Sequence, residues 1–551
     1  MKFTRTEPAI VNASDPDSSQ FDVDQEGSER FASWVLRGPL AVLVGLLCLW
    51  ELATWAPNYL TWPLWADHDV FATSAKCWDS GVLPYREING NNFPGTTYIF
   101  WILGKLCGFG WGLGPGFYGF DAALVGLFGA GLIAWSGRRF GRLLPGLIGY
   151  GGFLGYYLAL DYSQAAQRDW QGPLLAIFGL LLVQAWPGRT SRVLAGLTSA
   201  LGLIIRPQAV LLLPAQALAV ASEARQSGRS GILATIEWGI ALALGLALGF
   251  LPVVMAGIWP DFLHALKVVS YGGKYNLVTP AMFAEQMLIQ LQPLRLDIVP
   301  IAILLLAKQA QPETRRTAWP WLVAMLGVLF YRPMSPHPHA YLSHPTMIVW
   351  TGLVAILVQI VLDQVRLPAS VRLVAILLIA GLGLTAKPRF CNPNGSLEAF
   401  SFLKTHREPG PKPTGYARHP DVPAAAFYEW EDYRNLLDYL RTTTSPTTKV
   451  ANCLKHVPAI TGPTGRLPAF PAESVAWLTV VREDEEETFA DQLRKATDTV
   501  VVWAPTEKEM ARAPKLPVLT RAIEDNYAFE ARFGLIEVWR RKPIDAAEGT
   551  K

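Results

Sequence analysis

The stretch LAVLVGLLCLWELATW, residues 40–55, decides the fold class, since its only charged residue is Glu51. A helix needs about 17 to 25 mostly apolar residues to cross the hydrocarbon core of a bilayer, and this run is close to that length. The run begins too late in the chain for a signal peptide and lacks a small-residue cleavage site. We therefore predict that it is retained as the first transmembrane helix.

The composition of the whole chain agrees with this prediction. Of the 551 residues, 51% are hydrophobic and only 17% are charged, whereas soluble domains carry about 25% charged residues. Apolar runs recur from residue 31 to about 386, while 1–30 and 387–551 resemble soluble sequence. The net charge of +3 gives no cationic excess for nucleic acid, so we expect no nucleic-acid partner. The fold class is an α-helical polytopic membrane protein surrounded by membrane lipids.

Positive residues set the predicted topology. The ambiguous segment is 94–112, which is apolar but contains Lys105 and several glycines. If it lies along the membrane surface as an interfacial helix, all the basic turns fall on the side of the N-terminus, as the positive-inside rule requires. These turns are Arg138/Arg139/Arg142, Arg189/Arg192, Arg225/Arg229, Lys308/Arg315/Arg316 and Arg366/Arg372. About eleven spans result, with the N-terminus cytoplasmic. Besides 40–55, they lie near 118–136, 143–160, 172–186, 193–205, 208–222, 233–256, 296–307, 318–332, 345–362 and 372–386.

The predicted domains follow from these patterns. Residues 1–34 are predicted to be a disordered cytoplasmic tail, because the segment is polar, acidic and without periodicity. Residues 35–386 form the transmembrane domain, whose first external loop is 56–117. Residues 387–545 are predicted to be a small extracytoplasmic α/β domain, and 546–551 a tail.

Alternating strand-like and helix-like runs support the α/β prediction for the C-terminal region. It has no phosphate-binding glycine motif, which favours an acceptor-binding or interaction module, with a structural cap on a cleft as the alternative. The strand-like runs are 449–454, 474–481, 498–505 and 529–541; the helix-like runs are 397–407, 428–443, 486–497 and 508–513.

The triplet Asp67-His68-Asp69 follows the first span, at the start of a segment, 70–79, that could form a short helix. A carboxylate beside the membrane can take a proton from an acceptor hydroxyl as a general base, and the triplet can also bind metal. The alternative is a solvated loop in which one aspartate caps the helix.

Charged residues also interrupt later spans. Arg168 and Asp169 precede a span, and Arg206 stands before Pro207 within an apolar stretch. Ionisable groups at membrane depth are costly and usually pair or serve a site, and a guanidinium suits a phosphate. The alternatives are an Arg–Asp pair at a helix end and an arginine that reaches the interface.

The stretch YRPMSPHPHAYLSHP, residues 331–345, concentrates histidines. Its prolines make the spacing unlike a zinc site, so contact with a phosphate or headgroup is the favoured role of this stretch. The candidate residues are His337, His339 and His344, together with Arg332 and Tyr341. A connecting loop fixed by its prolines is the alternative.

Taken in order, these loops resemble those of the GT-C type glycosyltransferases that use polyprenyl-phosphate sugars, the mannosyltransferase and aminoarabinose-transferase-like superfamily. The resemblance covers roughly 40–365. It includes the Arg-Asp pair at 168–169 and the His/Tyr-rich stretch before Pro345. The matching positions of the first external loop are Asp67/Asp69, Ala75, Gly81, Pro84-Tyr85, Glu87, Pro94 and Tyr98.

The resemblance implies a multi-pass enzyme of the cell membrane. Such an enzyme moves a sugar from a polyprenyl-phosphate donor to a lipid, glycan or protein acceptor in an external cleft. By analogy, Asp67 or Asp69 is the base, and Asp169 orients the acceptor or the base. The groups that hold the lipid phosphate are Arg168, Arg206, His337, His339 and Tyr341.

The sequence departs from this family at the acidic pair. The family commonly has adjacent acids, whereas a histidine separates Asp67 from Asp69 here. The choice of base therefore stays open, and a divalent metal remains possible although no metal ligand is assigned. A transporter or flippase of a lipid-linked or anionic solute is the alternative function. The acids in a long external loop and the folded tail favour the enzyme.

Overall fold

The structure is a computed structural model that describes residues 18–89, 92–271, 279–291, 298–334, 340–384, 428–454, 459–475, 477–478, 483–505 and 516–543. Up to Leu384 it is helical. The helices are α1 (Ser18–Arg37), α2 (Pro39–Tyr59), α3 (Ala66–Asp79), α4 (Pro94–Cys107), α5 (Leu113–Phe140), α6 (Leu144–Tyr157), α7 (Arg168–Ala185), α8 (Arg189–Ile205), α9 (Leu213–Gln226), α10 (Gly231–Met255), α11 (Trp259–Tyr271), α12 (Pro280–Leu291), α13 (Ile298–Leu306), α14 (Pro312–Leu329), α15 (His344–Asp363) and α16 (Ala369–Leu384).

Four helices among the described residues are long and apolar enough to cross a membrane: Pro39–Tyr59, Leu113–Phe140, Gly231–Met255 and Tyr341–Asp363. Helices α2 and α10 expose rows of leucines outward, as expected of faces that contact lipid. Helix α15 is instead buried along its whole length and packs against α6 and α14. The predicted helical membrane fold is therefore present, and the number of eleven spans stays a prediction.

The N-terminal region differs from the predicted disordered tail 1–34, because α1 begins at Ser18. Glu29 of α1 accepts hydrogen bonds from the backbone N–H groups of Ala369 at 2.5 Å and Ser370 at 3.2 Å. These two donors open α16, and the first N–H groups of a helix have no partner within it. A carboxylate that satisfies them holds α1 against α16, which a periodicity argument on α1 alone could not anticipate.

Helix α4 covers most of the segment 94–112 that was predicted to lie along the membrane surface. Its 14 residues rise about 21 Å, which is less than the roughly 30 Å of a hydrocarbon core. One face is buried at Phe100 and Gly104, while Trp101, Ile102 and Leu106 are exposed. This geometry is compatible with an interfacial helix, and the sidedness stays a prediction.

The C-terminal region contains a four-stranded mixed sheet in the order β1-β2-β4-β3. Strand β1 runs parallel to β2, and the other neighbours are antiparallel. The strands are β1 (Lys449–Asn452), β2 (Thr499–Trp503), β3 (Tyr527–Phe533) and β4 (Ile536–Arg541), and the helices are α17 (Trp430–Thr443), the single turn α18 (Thr461–Thr464), α19 (Glu486–Lys495) and α20 (Pro517–Asn526).

Two of the predicted strands differ from the structure. The run 529–541 is a hairpin and not one strand, because Gly534 adopts a φ of 57° between β3 and β4. In the run 474–481, no described residue is in a strand, and Trp477 and Leu478 are helical. The predicted helices 397–407 and 508–513 lie outside the described residues.

The C-terminal region packs directly on the first loop. The N–H of Ala459 donates to the carbonyl of Leu64 at 3.1 Å, and the N–H of Asn89 donates to the carbonyl of Pro471 at 2.6 Å. The guanidinium of Arg441 lies 4.3 Å from the ring centre of Trp111. These contacts close one end of the helical bundle.

Candidate functional site

The triplet Asp67-His68-Asp69 lies in the first turn of α3, which begins at Ala66, earlier than the predicted segment 70–79. Acidic side chains are favoured there because the N-terminus of a helix carries partial positive charge. Successive residues of an α-helix are about 100° apart around its axis. Asp67 and Asp69 therefore point in nearly opposite directions and do not act as one carboxylate pair.

His68 is packed into the protein and has a structural role. Its ring centre lies 4.8 Å from that of Phe117, and its Nδ1 accepts the N–H of Trp65 at 3.3 Å. Burial lowers the pKa of His68 to about 3, so the imidazole is neutral at pH 7. The histidine that separates the two acids thus fixes the start of α3.

Asp69 joins the first loop to the C-terminal region. Its carboxylate accepts three backbone N–H groups, from Ile460 at 2.9 Å, Thr461 at 3.1 Å and Gly462 at 2.6 Å. A Cβ on Gly462 would lie 2.7 Å from Asp69 Oδ1, so this close approach requires glycine. Burial raises the pKa of Asp69 to about 6 against the opposing effect of the three donors. The group is therefore ionised at pH 7, and its oxygens are already engaged.

Asp67 faces the bundle and is only half-buried. It interacts electrostatically with Arg168 and with Tyr341. The same two residues interact with Asp169 and Arg206. Five of the residues predicted from separate loops therefore lie in one polar cluster, which we call the arginine cluster: Asp67, Arg168, Asp169, Arg206 and Tyr341.

The centre of the arginine cluster is a buried ion pair. Arg206 Nη2 lies 2.8 Å from Asp169 Oδ1, and the Asp169 side chain is 1% exposed. The hydroxyl of Tyr331 donates to the same oxygen at 2.8 Å and accepts Nε–H of Arg206 at 3.1 Å. Tyr331 was not singled out from the sequence, although it stands next to Arg332. Tyr331 therefore forms a hydrogen bond with each member of the ion pair.

The local sequence explains how Arg206 reaches Asp169. Helix α8 ends at Ile205, and Pro207 starts a 3-10 turn, because proline cannot continue the hydrogen-bond ladder. Helices α7 and α8 approach closely at two glycines. A Cβ on Gly202 would lie 2.4 Å from the carbonyl oxygen of Gly172, and a Cβ on Gly172 would lie 2.7 Å from Cβ of Arg206.

Arg168 differs from Arg206 in its surroundings. Its guanidinium lies 5.0 Å from the ring centre of Phe71. Within the described part of the chain, no carboxylate lies at ion-pair distance from it. Because Arg206 already neutralises Asp169, Arg168 is the cation of the cluster with charge available to an anion.

The histidine-rich stretch contributes Tyr341 to the arginine cluster, and it also contains His344 and Arg332. His337 and His339 lie outside the described residues. His344 is buried; its Nε2 lies 2.8 Å from the carbonyl oxygen of Gln164, which can only accept, so its Nδ1 accepts the hydroxyl of Tyr156 at 2.6 Å. Arg332 donates to Gln286 at 2.8 Å. This end of α15 is therefore a second polar layer beside the arginine cluster.

Sequence reasoning missed Asp121, a fully buried acid in the span α5. It accepts hydrogen bonds from Tyr59 at 2.6 Å, Tyr157 at 2.5 Å, Trp170 at 3.0 Å and Gln171 at 2.7 Å. The last two directly follow Asp169, so Asp121 fixes the start of α7. A lone acid inside an apolar span was the signal that could have found it.

Glu473, also missed, approaches the two acids of α3 from the C-terminal region. Burial raises the pKa of Glu473 to about 7, and the charges of Asp69 and Asp67 add to the shift. A carboxyl group with this pKa exchanges protons near neutral pH. The loop around Glu473 carried no pattern that marked it in the sequence.

The sequence left open whether the acids and histidines bind a divalent metal. Across the described ranges, no group of three or more His, Cys, Asp or Glu side chains is placed to hold a metal ion. Asp69 accepts hydrogen bonds at both carboxylate oxygens, and Nδ1 of His68 accepts the N–H of Trp65. We therefore assign no metal ligand, and the proposed reaction does not depend on a metal.

Comparison with known proteins supports the fold. No protein-family model and no curated protein matches the chain. Two crystal structures of ArnT from Cupriavidus metallidurans are similar to it. The apo structure has a TM-score of 0.53 at 12% identity and covers 93% of this chain and 99% of ArnT. The structure bound to undecaprenyl phosphate has a TM-score of 0.50 at 11% identity and covers 92% and 99%. At this identity the likeness concerns the fold, and the resemblance predicted from the sequence is confirmed at that level.

Proposed function

We propose that the chain is an integral membrane glycosyltransferase that moves a sugar from a polyprenyl-phosphate donor to a hydroxyl-bearing acceptor. The observation that carries the proposal is the arginine cluster. In it, a half-buried carboxylate, Asp67, faces a guanidinium without an ion-pair partner among the described residues, that of Arg168. A base and a cation for an anionic leaving group are the two groups that this reaction needs. An ArnT structure that binds undecaprenyl phosphate supports the same donor class.

The roles follow from the surroundings of each group. Asp67 accepts the proton of the acceptor hydroxyl, whose oxygen attacks the anomeric carbon of the sugar. The bond from that carbon to the phosphate oxygen breaks, and the electron pair goes to the phosphate. Arg168 stabilises the negative charge that develops there. The products are the glycosylated acceptor and the polyprenyl phosphate.

Asp69 and the Asp169–Arg206 pair support this chemistry without taking part in it. Asp69 already accepts three backbone N–H groups, so Asp67 is the better base. Asp169 holds Arg206 and Tyr331 in place. The pair also places Arg168, the preceding residue, at the start of α7.

The test compares the full-length protein with Asp67→Asn in proteoliposomes. A set of radiolabelled polyprenyl-phosphate sugars serves as donors, and lipids extracted from cell envelopes serve as acceptors. The measured quantities are label in the acceptor and polyprenyl phosphate released. We expect the variant to lose about a hundredfold or more of the rate, the size of effect typical of a general base. Asp261→Asn, which changes a half-buried acid that is paired with Arg86 outside the arginine cluster, is the matched control and is expected to keep full activity.

The same experiment separates the enzyme from a transporter or flippase. Full transfer by Asp67→Asn, with an unchanged unfolding temperature, would refute Asp67 as the base. Movement of intact labelled donor across the vesicle membrane, without transfer from any donor, would replace the transferase by a flippase.

A further inference from the structure

A basic groove lies at the far end of the bundle from the arginine cluster. Its volume is about 710 Å³, and α1 and the α15–α16 connection line it. The buried helix α15 runs from His344, beside the arginine cluster, to Asp363, beside the groove. Its 20 residues span about 30 Å. The groove therefore takes no part in the sugar transfer proposed above.

The charge of the groove is strongly unbalanced. Four arginines line it, Arg30, Arg37, Arg366 and Arg372, against one acid, Glu29. Glu29 is occupied by the start of α16, where it accepts the N–H groups of Ala369 and Ser370. The fixed carboxylate thus shapes a groove in which basic side chains outnumber acidic ones.

The surroundings of these arginines are suited to binding an anion. Among the described residues, no carboxylate lies at ion-pair distance from Arg37, Arg366 or Arg372. Nε of Arg372 is buried without a hydrogen-bond partner in the described part of the chain. A buried N–H without a partner is unfavourable, so an acceptor supplied from outside would stabilise this group. A guanidinium pairs especially well with phosphate oxygens, since its donors form a planar fork.

The rim of the groove marks the anion as part of a lipid. Phe31 and Trp34 of α1 are 62% and 58% exposed, and their ring centres lie 6.0 Å apart. Exposed aromatic rings of this kind are enriched at the level of lipid headgroups. The outward leucines of α2 begin within the next turns of the chain, at Leu43 and Leu46. A ligand in the groove would therefore have its phosphate among arginines and its acyl chains along α2.

We propose that this groove binds the phosphate headgroup of an anionic phospholipid, with Arg37 and Arg366 as its exposed cations and Arg372 as its inner donor. Binding there ties α1 to the α15–α16 connection. Basic pockets at the membrane surface hold such headgroups in other proteins, and each arginine near the surface contributes about a fivefold factor in binding.

The test measures lipid retention by native mass spectrometry on the full-length protein. The probes are phosphatidylglycerol and phosphatidylcholine with the same acyl chains. We expect selective retention of phosphatidylglycerol, and roughly 25-fold weaker retention by Arg37→Gln with Arg366→Gln. The matched control is Arg315→Gln with Arg316→Gln, two exposed arginines at the first turn of α14, which is expected to retain the lipid as the wild type does.

Three results would overturn the proposal. Equal retention of the two lipids would exclude a headgroup site. An equal loss in the control variant would show that net charge alone holds the lipid. Release of phosphatidylglycerol by excess inorganic phosphate would identify the ligand as a free anion. None of these readouts depends on transferase activity, so the proposal fails or stands independently of the proposed reaction.

Discussion

Asp67 and Asp69 stand two residues apart in one helix turn, yet they face two regions that differ in almost every physical respect. On the Asp69 side, three backbone N–H groups of the C-terminal region surround a carboxylate that is 2% exposed. On the Asp67 side, a half-buried carboxylate interacts electrostatically with Arg168 and Tyr341 in the arginine cluster. The difference separates a carboxylate that three backbone donors fix to the C-terminal region from the carboxylate that we propose as the base.

The two arginines of the cluster also differ in this way: Arg206 is held in an ion pair, and Arg168, within the described ranges, is not. Replacing them is expected to give the largest changes in stability and transfer rate. Arg206→Met leaves Asp169 buried without its counter-ion, which is expected to cost about 3 to 5 kcal/mol of the free energy of unfolding. Arg168→Met removes the contact with Phe71, about 1 kcal/mol, and breaks no ion pair among the described residues, but it is expected to lower the transfer rate by about a hundredfold. Thermal unfolding in detergent and the transfer assay on both variants measure the two effects.

A second substitution tests whether the unpaired charge of Asp169 causes the loss of stability in Arg206→Met. Asp169→Asn added to Arg206→Met removes the unpaired charge and is expected to recover part of the unfolding temperature. If Arg168→Met proved the more destabilising of the two single variants, the division of roles between the arginines would be wrong.

The second largest expected effect concerns the hydrogen bonds between Asp69 and the backbone of residues 460–462. In Asp69→Asn, an amide NH₂ group replaces one acceptor oxygen opposite N–H donors, and we expect a loss of about 2 to 3 kcal/mol in the contact between the first loop and the C-terminal region. The measurement is hydrogen exchange of the amides of Ile460, Thr461 and Gly462, which should become about 30- to 150-fold faster. Asp67→Asn is the matched control: exchange at these amides should not change.

The two variants together test whether Asp67 and Asp69 have different roles. If Asp67→Asn also loosened the amides of residues 460–462, the two acids would share one structural role. If Asp69→Asn abolished transfer while exchange stayed slow, the base would lie on the other side of α3.

Much of this arrangement could be predicted from the sequence. Apolar runs and charge positions indicated the helical membrane fold, and isolated charges such as Arg168, Asp169 and Arg206 identified the cluster, because a charge at membrane depth needs a partner. The sequence did not separate Asp67 from Asp69, because that distinction depends on contacts with residues 460–462, almost 400 positions away. Neither did it reveal that α1 packs on α16, since Glu29 acts on backbone groups that have no sequence signature.

Glu473 gives the smallest effect, on the dependence of stability on pH. Burial, and then the charges of Asp69 and Asp67, raise the pKa of Glu473 from 4.5 to about 7. A carboxyl whose pKa is higher in the folded state favours folding while it is protonated, below pH 4.5, and loses that contribution as the pH rises through about 7. Because the side chain is only half-buried, solvent screening limits the effect to about 1 kcal/mol.

Glu473→Gln is therefore expected to flatten the decline of the unfolding temperature between about pH 5 and pH 8, which a pH series of thermal unfolding measures. Asp67→Asn sharpens the comparison, because it removes one of the charges that raise the pKa. In that variant the decline should end at a lower pH and be smaller, because the folded-state pKa of Glu473 is then closer to its value in the unfolded chain. An unchanged pH profile in Glu473→Gln would mean that another group titrates there. A profile that Asp67→Asn leaves in place would mean that the carboxylate on the open side of α3 does not influence the acid opposite it.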